Sequence, residues 1–527
     1  MDAERTAASG GSPGGDEGAP PLLRAIGRAP ERRALAFALS ASLLLTLAAA
    51  CSSDSVFQVD EYFQTVEFAS YKLGTTPAAE LPWEFRARIR PFLQPAFYWA
   101  LARAASVAGV QDPFALLRIF RAASGVLAWL ALVALLRAAA RWFPRPPWRS
   151  ALSISLALPY FVPYLAARTS SENLSTTFLL FGLALLAGTE EGGLPAAASG
   201  ARALLAGLAL GVSFECRYQV GMSVAGVVLW MLFRRRARHA ALLAAGLAAA
   251  VAAGVAVDAW GYGALEFVPW NYLRVNVFEG KAATFGVLPF FAYPFVFLLL
   301  FPPFGALLFV ALALFWWRSP RHLLTWVTVP FVVGHSLVGH KEFRFMFPLL
   351  APATLCLLLL WAEPGSAAGR LARLLRLLRA VWFGRGTWAA SAAAALVLCL
   401  LPSSDNFGLQ RYFHDHARDD VRWVGFVDPR RPHGIPAPFL SPRPGPPVRL
   451  VRTAQDLASA IAESDRPVLV TAKFPLPAGA EELLAGTRVF ASLPPGLARL
   501  NLFRWVERAD LTYVYRVGRP TAPRAAP

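Results

Sequence analysis

ALAFALSASLLLTLAAAC (Ala34–Cys51) runs through SSDSVFQ (Ser52–Gln58) into VDEYFQTVE (Val59–Glu67). The first stretch is apolar, uncharged and long enough to cross a bilayer. The last places two adjacent carboxylates, Asp60 and Glu61, where the chain leaves the lipid. Acidic residues at the mouth of a span are costly to keep there and usually functional. A signal peptide cleaved near AAAC is the alternative, and it is disfavoured because membrane spans follow throughout and VDEYFQ comes immediately after.

The composition agrees. Of 527 residues, 56% are hydrophobic, and the mean hydropathy is +0.45. Soluble chains are roughly 45–50% apolar, and here the excess comes as repeated runs of spanning length. The formal net charge is +18. It does not mark a nucleic-acid binder, because the arginines cluster at the ends of apolar runs, which is the positive-inside pattern. Cys51, Cys216, Cys356 and Cys399 lie in or beside apolar segments without paired spacing, which supports neither a disulfide framework nor a zinc site.

Basic clusters at Arg137–Arg149, Arg234–Arg238, Arg318–Arg321 and Arg370–Arg385 fix the orientation when all are placed in the cytoplasm. Phe114–Leu136, Ala151–Ala167 and Leu174–Gly188 then cross in turn. Ala203–Phe233 reads as two short crossings turning at Glu215–Tyr218, and Ala240–Asp258 goes out. Phe290–Trp317, interrupted by Pro302-Pro303, makes one net crossing. Leu323–Val338, Phe347–Trp361 and Trp388–Leu401 complete about eleven spans, as matched parity requires. The expected organisation is a disordered cytoplasmic tail at 1–30, an all-α polytopic membrane domain at 31–402 with its first external loop at 52–113, and a small external α/β domain at 403–527. Within the last, Val448–Val451, Val468–Val470, Arg488–Phe490 and Leu511–Val517 are strand-like, and Thr453–Asp456 predicts a capping box opening a helix to about Ser464. A Pro-rich linker at His433–Pro447 feeds this domain.

With that orientation the unusual polar residues fall on one external side. Asp60, Gln64 and Glu67 stand at three- and four-residue steps and are predicted to share one helix face, where a carboxylate can accept a proton from an attacking hydroxyl. LPWEF (Leu81–Phe85) and RARIR (Arg86–Arg90) follow in the same loop. Arg88 and Arg90 suit a bound anion or lipid headgroups equally. HSLVGHKEFRF (His335–Phe345) crowds His340, Lys341, Glu342 and Arg344 between two apolar spans, and its cations and donors suit a phosphate. Asp258–Gly280 is aromatic and Gly-rich and carries Asn271, Arg274 and Asn276, a mixture that suits a sugar or an interfacial belt. Arg168 in ARTSSEN and Arg217 in FECRYQ are weaker candidates, each as fit for an anchor as for a ligand. The phosphate-loop, dinucleotide, HExxH and CxxC motifs are missing.

Taken together, VDEYFQTVE, LPWEF, Arg88 and Arg90, ARTSSEN (Ala167–Asn173), WNYLRVNV within Asp258–Gly280, and HKEFRF (His340–Phe345) resemble glycosyltransferase family 22 over roughly Val59 to Pro352. These are the lipid-phosphate-mannose-dependent mannosyltransferases of N-glycan and GPI-anchor assembly, and the resemblance is strongest to the GPI branch. The chain departs from the family pattern at Gln58-Val59 and at FGVLPF (Phe285–Phe290), which lacks a histidine. The resemblance implies a GT-C membrane fold, a polyprenyl or dolichyl phosphate mannose donor, and a lipid-linked glycan or GPI-type acceptor on the luminal or periplasmic side. The membrane would be the endoplasmic reticulum in a eukaryote and the inner membrane in a bacterium. Asp60 and Glu61 would be the catalytic carboxylates. His340, Lys341, Arg344, Arg88 and Arg90 would bind the donor phosphate. Gln64, Glu67, Trp83, Glu84, Arg168, Asn271, Asn276 and Glu342 would contact the substrates. No cofactor, metal or protein partner is expected. A GT-C enzyme using another polyprenyl-phosphate sugar remains a rival reading. So does a transporter, which would carry midplane charges and an internal repeat. No clear repeat is visible, and the charges collect at one face.

Overall fold

A computed structural model of the chain describes residues 30–52, 58, 60–187, 196–299, 301–362, 369–400, 405–416, 421–426, 448–473, 476, 479–484, 488–491 and 512–517. The expected tail, apart from Pro30, and the His433–Pro447 linker lie outside these residues.

The described chain is predominantly helical. Four helices have the length and apolarity to cross a membrane: Glu31–Cys51, Pro113–Trp142, Ala237–Tyr262 and Phe343–Ala362. The helix Pro113–Ala139 has 27 residues, or about 40 Å at 1.5 Å per residue. It starts on Pro113 behind an Asp112 side chain that accepts from the Ala115 amide at 3.0 Å. Shorter apolar helices cover Ser171–Ala187, Tyr218–Phe233, Phe304–Arg318 and Leu323–Leu337. Two interruptions bound two of these pieces. Pro302-Pro303 separates Ala292–Leu299 from Phe304–Arg318. Arg217, with extended backbone (φ −156°, ψ 107°), separates Ala196–Cys216 from the turn that leads into Gly221–Phe233.

Helices Ala196–Cys216 and Ala237–Tyr262 touch backbone to backbone. A Cβ on Gly207 would stand 2.0 Å from the Leu243 carbonyl oxygen, and one on Gly246 would stand 2.2 Å from that of Leu204. Small residues at four-residue spacing allow this approach, the usual means of packing helices in lipid. The main apolar core, including Trp230, Phe304, Leu355 and Trp382, fills the bundle. A separate apolar cluster of Phe68, Leu81 and Phe92 underlies the first loop.

That loop opens with an i→i+5 turn, Tyr62–Val66, before the helix Glu67–Leu73. The wide turn shifts the helical register, so positions seven apart no longer share a face. It ends at Gly74, whose φ of 80° suits glycine.

Toward the C-terminus, strands β1 (Arg422–Phe426), β2 (Val448–Val451), β3 (Val468–Lys473), β4 (Arg488–Ala491) and β5 (Thr512–Val517) form a sheet of order β2-β1-β3-β5-β4. β1 pairs β2 and β3 in parallel, and β5 pairs β3 and β4 antiparallel. Thr453 and Asp456 form a capping box at the start of Ala454–Ala462. One sheet face packs Val424, Val470 and Tyr513 on that helix. The other packs Trp423, Leu469 and Val514 on Phe413. The helix Asp405–His416 carries Phe413 and ties the sheet to the membrane helices. Its Arg411 lies 3.6 Å from Asp112 and 4.9 Å from the Phe114 ring, at the end of the first loop.

Candidate active site

A cavity of about 940 Å³ opens between the first loop, the break at Arg217, the Phe267–Val277 stretch and the His340–Phe345 turn. Asp60, Gln64, Trp83, Glu84 and Arg90 reach it from the first loop. Asn276 and Tyr272 form an aromatic-amide wall, and His340, Glu342 and Arg344 come from the turn.

Arg344 joins the two ends of the site. Its Nη2 donates to Asp60 Oδ2 at 2.5 Å, across 284 positions of sequence. The same guanidinium grips Glu342 twice, Nε to Oε2 at 2.6 Å and Nη2 to Oε1 at 2.9 Å. Its Nε also lies 3.6 Å from Glu172 Oε1. A charge that is 10% exposed needs such partners. Glu342 has a second partner: His340 Nε2 stands 3.0 Å from its Oε1, while His340 Nδ1 faces the Gly286 carbonyl at 3.1 Å. Burial pushes the Glu342 carboxyl up, but hydrogen bonding and charge from Arg344 and His340 outweigh it and hold the group below the usual carboxylate range.

The backbone at Glu342 is extended (φ −124°, ψ 150°), so side chains alternate and Lys341 turns away from its neighbours. Its Nζ donates to the carbonyls of Val338 at 2.6 Å, Leu288 at 2.9 Å and Gly339 at 3.5 Å. An ammonium has three donors, and all three are used. Lys341, expected on the donor phosphate, is instead a clasp between the turn and Leu288 and lies outside the cavity lining.

RARIR divides the same way. Arg88 has φ 52°, and its guanidinium is hydrogen-bonded to Glu266. Asn271 Nδ2 donates to Glu266 Oε2 at 3.2 Å and to the Arg88 carbonyl at 3.3 Å. Arg88 and Asn271, expected on phosphate and sugar, thus close a loop around Glu266 outside the lining. The hydrogen bonds from Asn271 and Arg88 hold the Glu266 carboxyl below its ordinary value. Arg90 turns inward, 3.7 Å from Glu84 and over the Tyr272 ring at 5.9 Å. Gln64 Nε2 donates to Glu84 Oε1 at 3.2 Å.

Three further expectations change place. Glu67 is buried and accepts from Thr76 Oγ1 at 2.8 Å, because the i→i+5 turn rotates it off the face of Asp60 and Gln64. Glu61 is buried behind the wall, its carbonyl accepting from Thr65 and, at 3.4 Å, from Thr169. Arg168 is buried and stacked 4.2 Å over Tyr164, with Nε donating to that residue's carbonyl. None of the three lines the cavity.

Two residues gain importance. Arg217 lines the cavity, and Glu172 Oε1 lies 3.0 Å from its Nη1. Glu172 occupies the first turn of Ser171–Ala187. In the sequence its position signals only an acid at a helix start, so its two arginine partners are invisible there. At the opposite end, Trp83 stacks on Phe285 at 6.3 Å, and Lys281 sits over Trp83 at 5.1 Å. Among the described residues, no group of three or more His, Cys, Asp and Glu side chains is placed to hold a metal ion.

The site therefore combines a carboxylate beside a guanidinium, further cations, and aromatic and amide walls. Residues 37–404 match the sequence profile described as the Alg9-like mannosyltransferase family. GPI alpha-1,2-mannosyltransferase 3 of Xenopus laevis is 26% identical over 56% of this chain and 54% of its own length. A probable Dol-P-Man:Man(7)GlcNAc(2)-PP-Dol alpha-1,6-mannosyltransferase of Schizosaccharomyces pombe is 32% identical over 25% of this chain and 24% of its own length. The chain thus spans at most about half the length of these two relatives. ArnT from Cupriavidus metallidurans bound to undecaprenyl phosphate superposes with a TM-score of 0.50 at 13% identity, covering 93% of this chain and 99% of that one. That likeness concerns the fold.

Proposed function

The chain belongs to the Alg9-like mannosyltransferase family, and on that premise we propose that it transfers mannose from a polyprenyl or dolichyl phosphate mannose to a lipid-linked glycan or GPI-type acceptor. The observation that carries this reading is the Asp60–Arg344 contact on the wall of a cavity large enough for sugars. The names of the two relatives, both mannosyltransferases and one of them using Dol-P-Man, support mannose and a dolichyl-phosphate donor.

The reaction is a single inverting displacement. The acceptor hydroxyl oxygen attacks the anomeric carbon, and its proton passes to Asp60. The bond from that carbon to the phosphate oxygen breaks, and its electron pair leaves with the lipid phosphate. The leaving group needs no protonation, only stabilisation of its growing charge. Arg344, with His340 beside it, supplies that stabilisation. Trp83, Tyr272 and Asn276 offer stacking faces and an amide to the sugars. Before the donor arrives, Asp60 holds Nη2 of Arg344, a guanidinium that an arriving phosphate also attracts. Donor binding therefore loosens the base at the moment it is needed. The enzyme works in the endoplasmic reticulum membrane of a eukaryote or the inner membrane of a bacterium, with this cavity at the luminal or periplasmic face.

The test is purified protein with a panel of polyprenyl-phosphate sugars and a membrane lipid extract, with products read by mass. Mannose donors alone are expected to add a hexose to a lipid-linked glycan. Transfer of a pentose or of glucose in preference to mannose would overturn the donor assignment. Solute movement across vesicles without transfer would favour transport.

A further inference from the structure

Arg217 lies where the membrane helix breaks, and the extended backbone there aims its side chain at the cavity. The side chain is 5% exposed. It meets Glu172 Oε1 at 3.0 Å, Ser171 Oγ at 3.0 Å and the Phe345 ring at 4.9 Å. Arg344 lies 3.6 Å from the same Glu172 oxygen and 5.8 Å from the same Phe345 ring. Two guanidiniums thus share one carboxylate oxygen and one aromatic ring at the edge of a single cavity. Like charges repel at that range unless an anion lies between them. Glu172, 2% exposed, supplies one such anion from behind, and the open side faces the cavity.

We propose that Arg217 and Arg344 form a two-guanidinium clamp for the donor's phosphate, and that Glu172 is the positioning residue that sets their spacing. This rests on the mannosyl-phosphate reading of the cavity. A phosphate has oxygens for two guanidiniums at once, and planar forks match it better than an ammonium does. Glu172 does not touch the substrate. It sits at the start of a helix, where the peptide dipoles favour its charge, and fixes both arginines to the same rigid element. The aromatic ring of Phe345 limits how far either can swing.

The clamp is tested on the full chain in detergent, by calorimetric titration with a short-chain prenyl phosphate and with the matching prenol. Wild type is expected to prefer the phosphate. Arg217→Gln should weaken phosphate binding by roughly tenfold or more, the usual scale for a charge-assisted hydrogen bond, and leave prenol binding unchanged. Arg217→Lys should recover part of the loss. Arg217→Gln strands a buried carboxylate and can fail to fold. The double variant Glu172→Gln/Arg217→Gln removes both charges and should show the same selective loss. Glu172→Gln alone should keep phosphate affinity and the donor KM while lowering kcat, because charge persists but spacing relaxes. Phosphate binding by Arg217→Gln or the double variant at the wild-type level overturns the clamp and leaves mannosyl transfer standing. Equal losses in kcat and donor affinity for Glu172→Gln overturn its positioning role. A wild-type protein indifferent between prenyl phosphate and prenol overturns both the clamp and the reading of the cavity.

Discussion

His340–Phe345 and Arg86–Arg90 are two short cationic stretches that look interchangeable in the sequence, and the structure treats them differently. Each splits its cations between cavity and scaffold. Arg344 and Arg90 face the cavity, whereas Lys341 is tied to three carbonyls and Arg88 to Glu266. The two inward arginines also differ from each other. Arg344 is bound by Asp60 and Glu342, whereas Arg90 has one carboxylate at 3.7 Å. Charge and location in the chain do not decide a ligand. What the head group already touches does.

The largest expected effect strikes the contact that joins the first loop to the turn. Asp60→Asn removes the proposed base and should lower kcat by about 10²–10⁴-fold, measured by single-turnover mannosyl transfer, with thermal stability close to wild type. An unaltered rate would break the assignment of Asp60.

Next comes the contrast inside HKEFRF. Arg344→Gln should lower kcat/KM by about 10²–10³-fold. Lys341→Met should leave donor KM unchanged and cost about 1–3 kcal/mol of stability, because it abandons buried carbonyls. Kinetics and denaturation of both variants separate the roles, and a Lys341→Met protein with a selectively raised donor KM would erase the distinction.

Smaller effects are expected in RARIR. Arg90→Gln should raise a substrate KM by about tenfold, or ~1.4 kcal/mol. Arg88→Gln should leave KM alone and change stability little, since its ion pair with Glu266 is partly exposed. The reverse ranking would show that the resting geometry misreports which arginine meets substrate.

The smallest effect is a pH dependence. Glu342 is held below the ordinary glutamate value of roughly 4.3. A depressed folded value means that its stabilisation is complete above the unfolded value and disappears as pH falls through the folded one. The stability gap between wild type and Glu342→Gln should therefore be constant near neutrality and close in acid. A gap that widens on acidification would contradict the pairing with Arg344.

Much of this was legible in the chain. The apolar runs, the basic ends, the Pro302-Pro303 interruption and the capping box at Thr453 are local patterns with local physical causes. So was the pairing of an acid near residue 60 with cations near residue 340, because in the expected topology both flank spans with the same exit side. What stayed hidden depends on single turns of backbone. An i→i+5 turn moves Glu67 away from Asp60, and one extended residue reverses Lys341. Periodicity assumes regular helix and cannot register either event. Glu172 was hidden for another reason: both of its arginines come from distant segments, and nothing near Ser171 announces them.

The glycine contact between Ala196–Cys216 and Ala237–Tyr262 has a consequence beyond holding two helices together. One of these helices delivers Arg217 to the cavity. The other ends at Tyr262, whose hydroxyl donates to the Arg90 carbonyl at 2.7 Å. The gap between those two arginines is thus gauged by how closely two peptide backbones can touch, so a methyl group added at Gly207 or Gly246 would push the helices apart and reach the cavity wall from a distance.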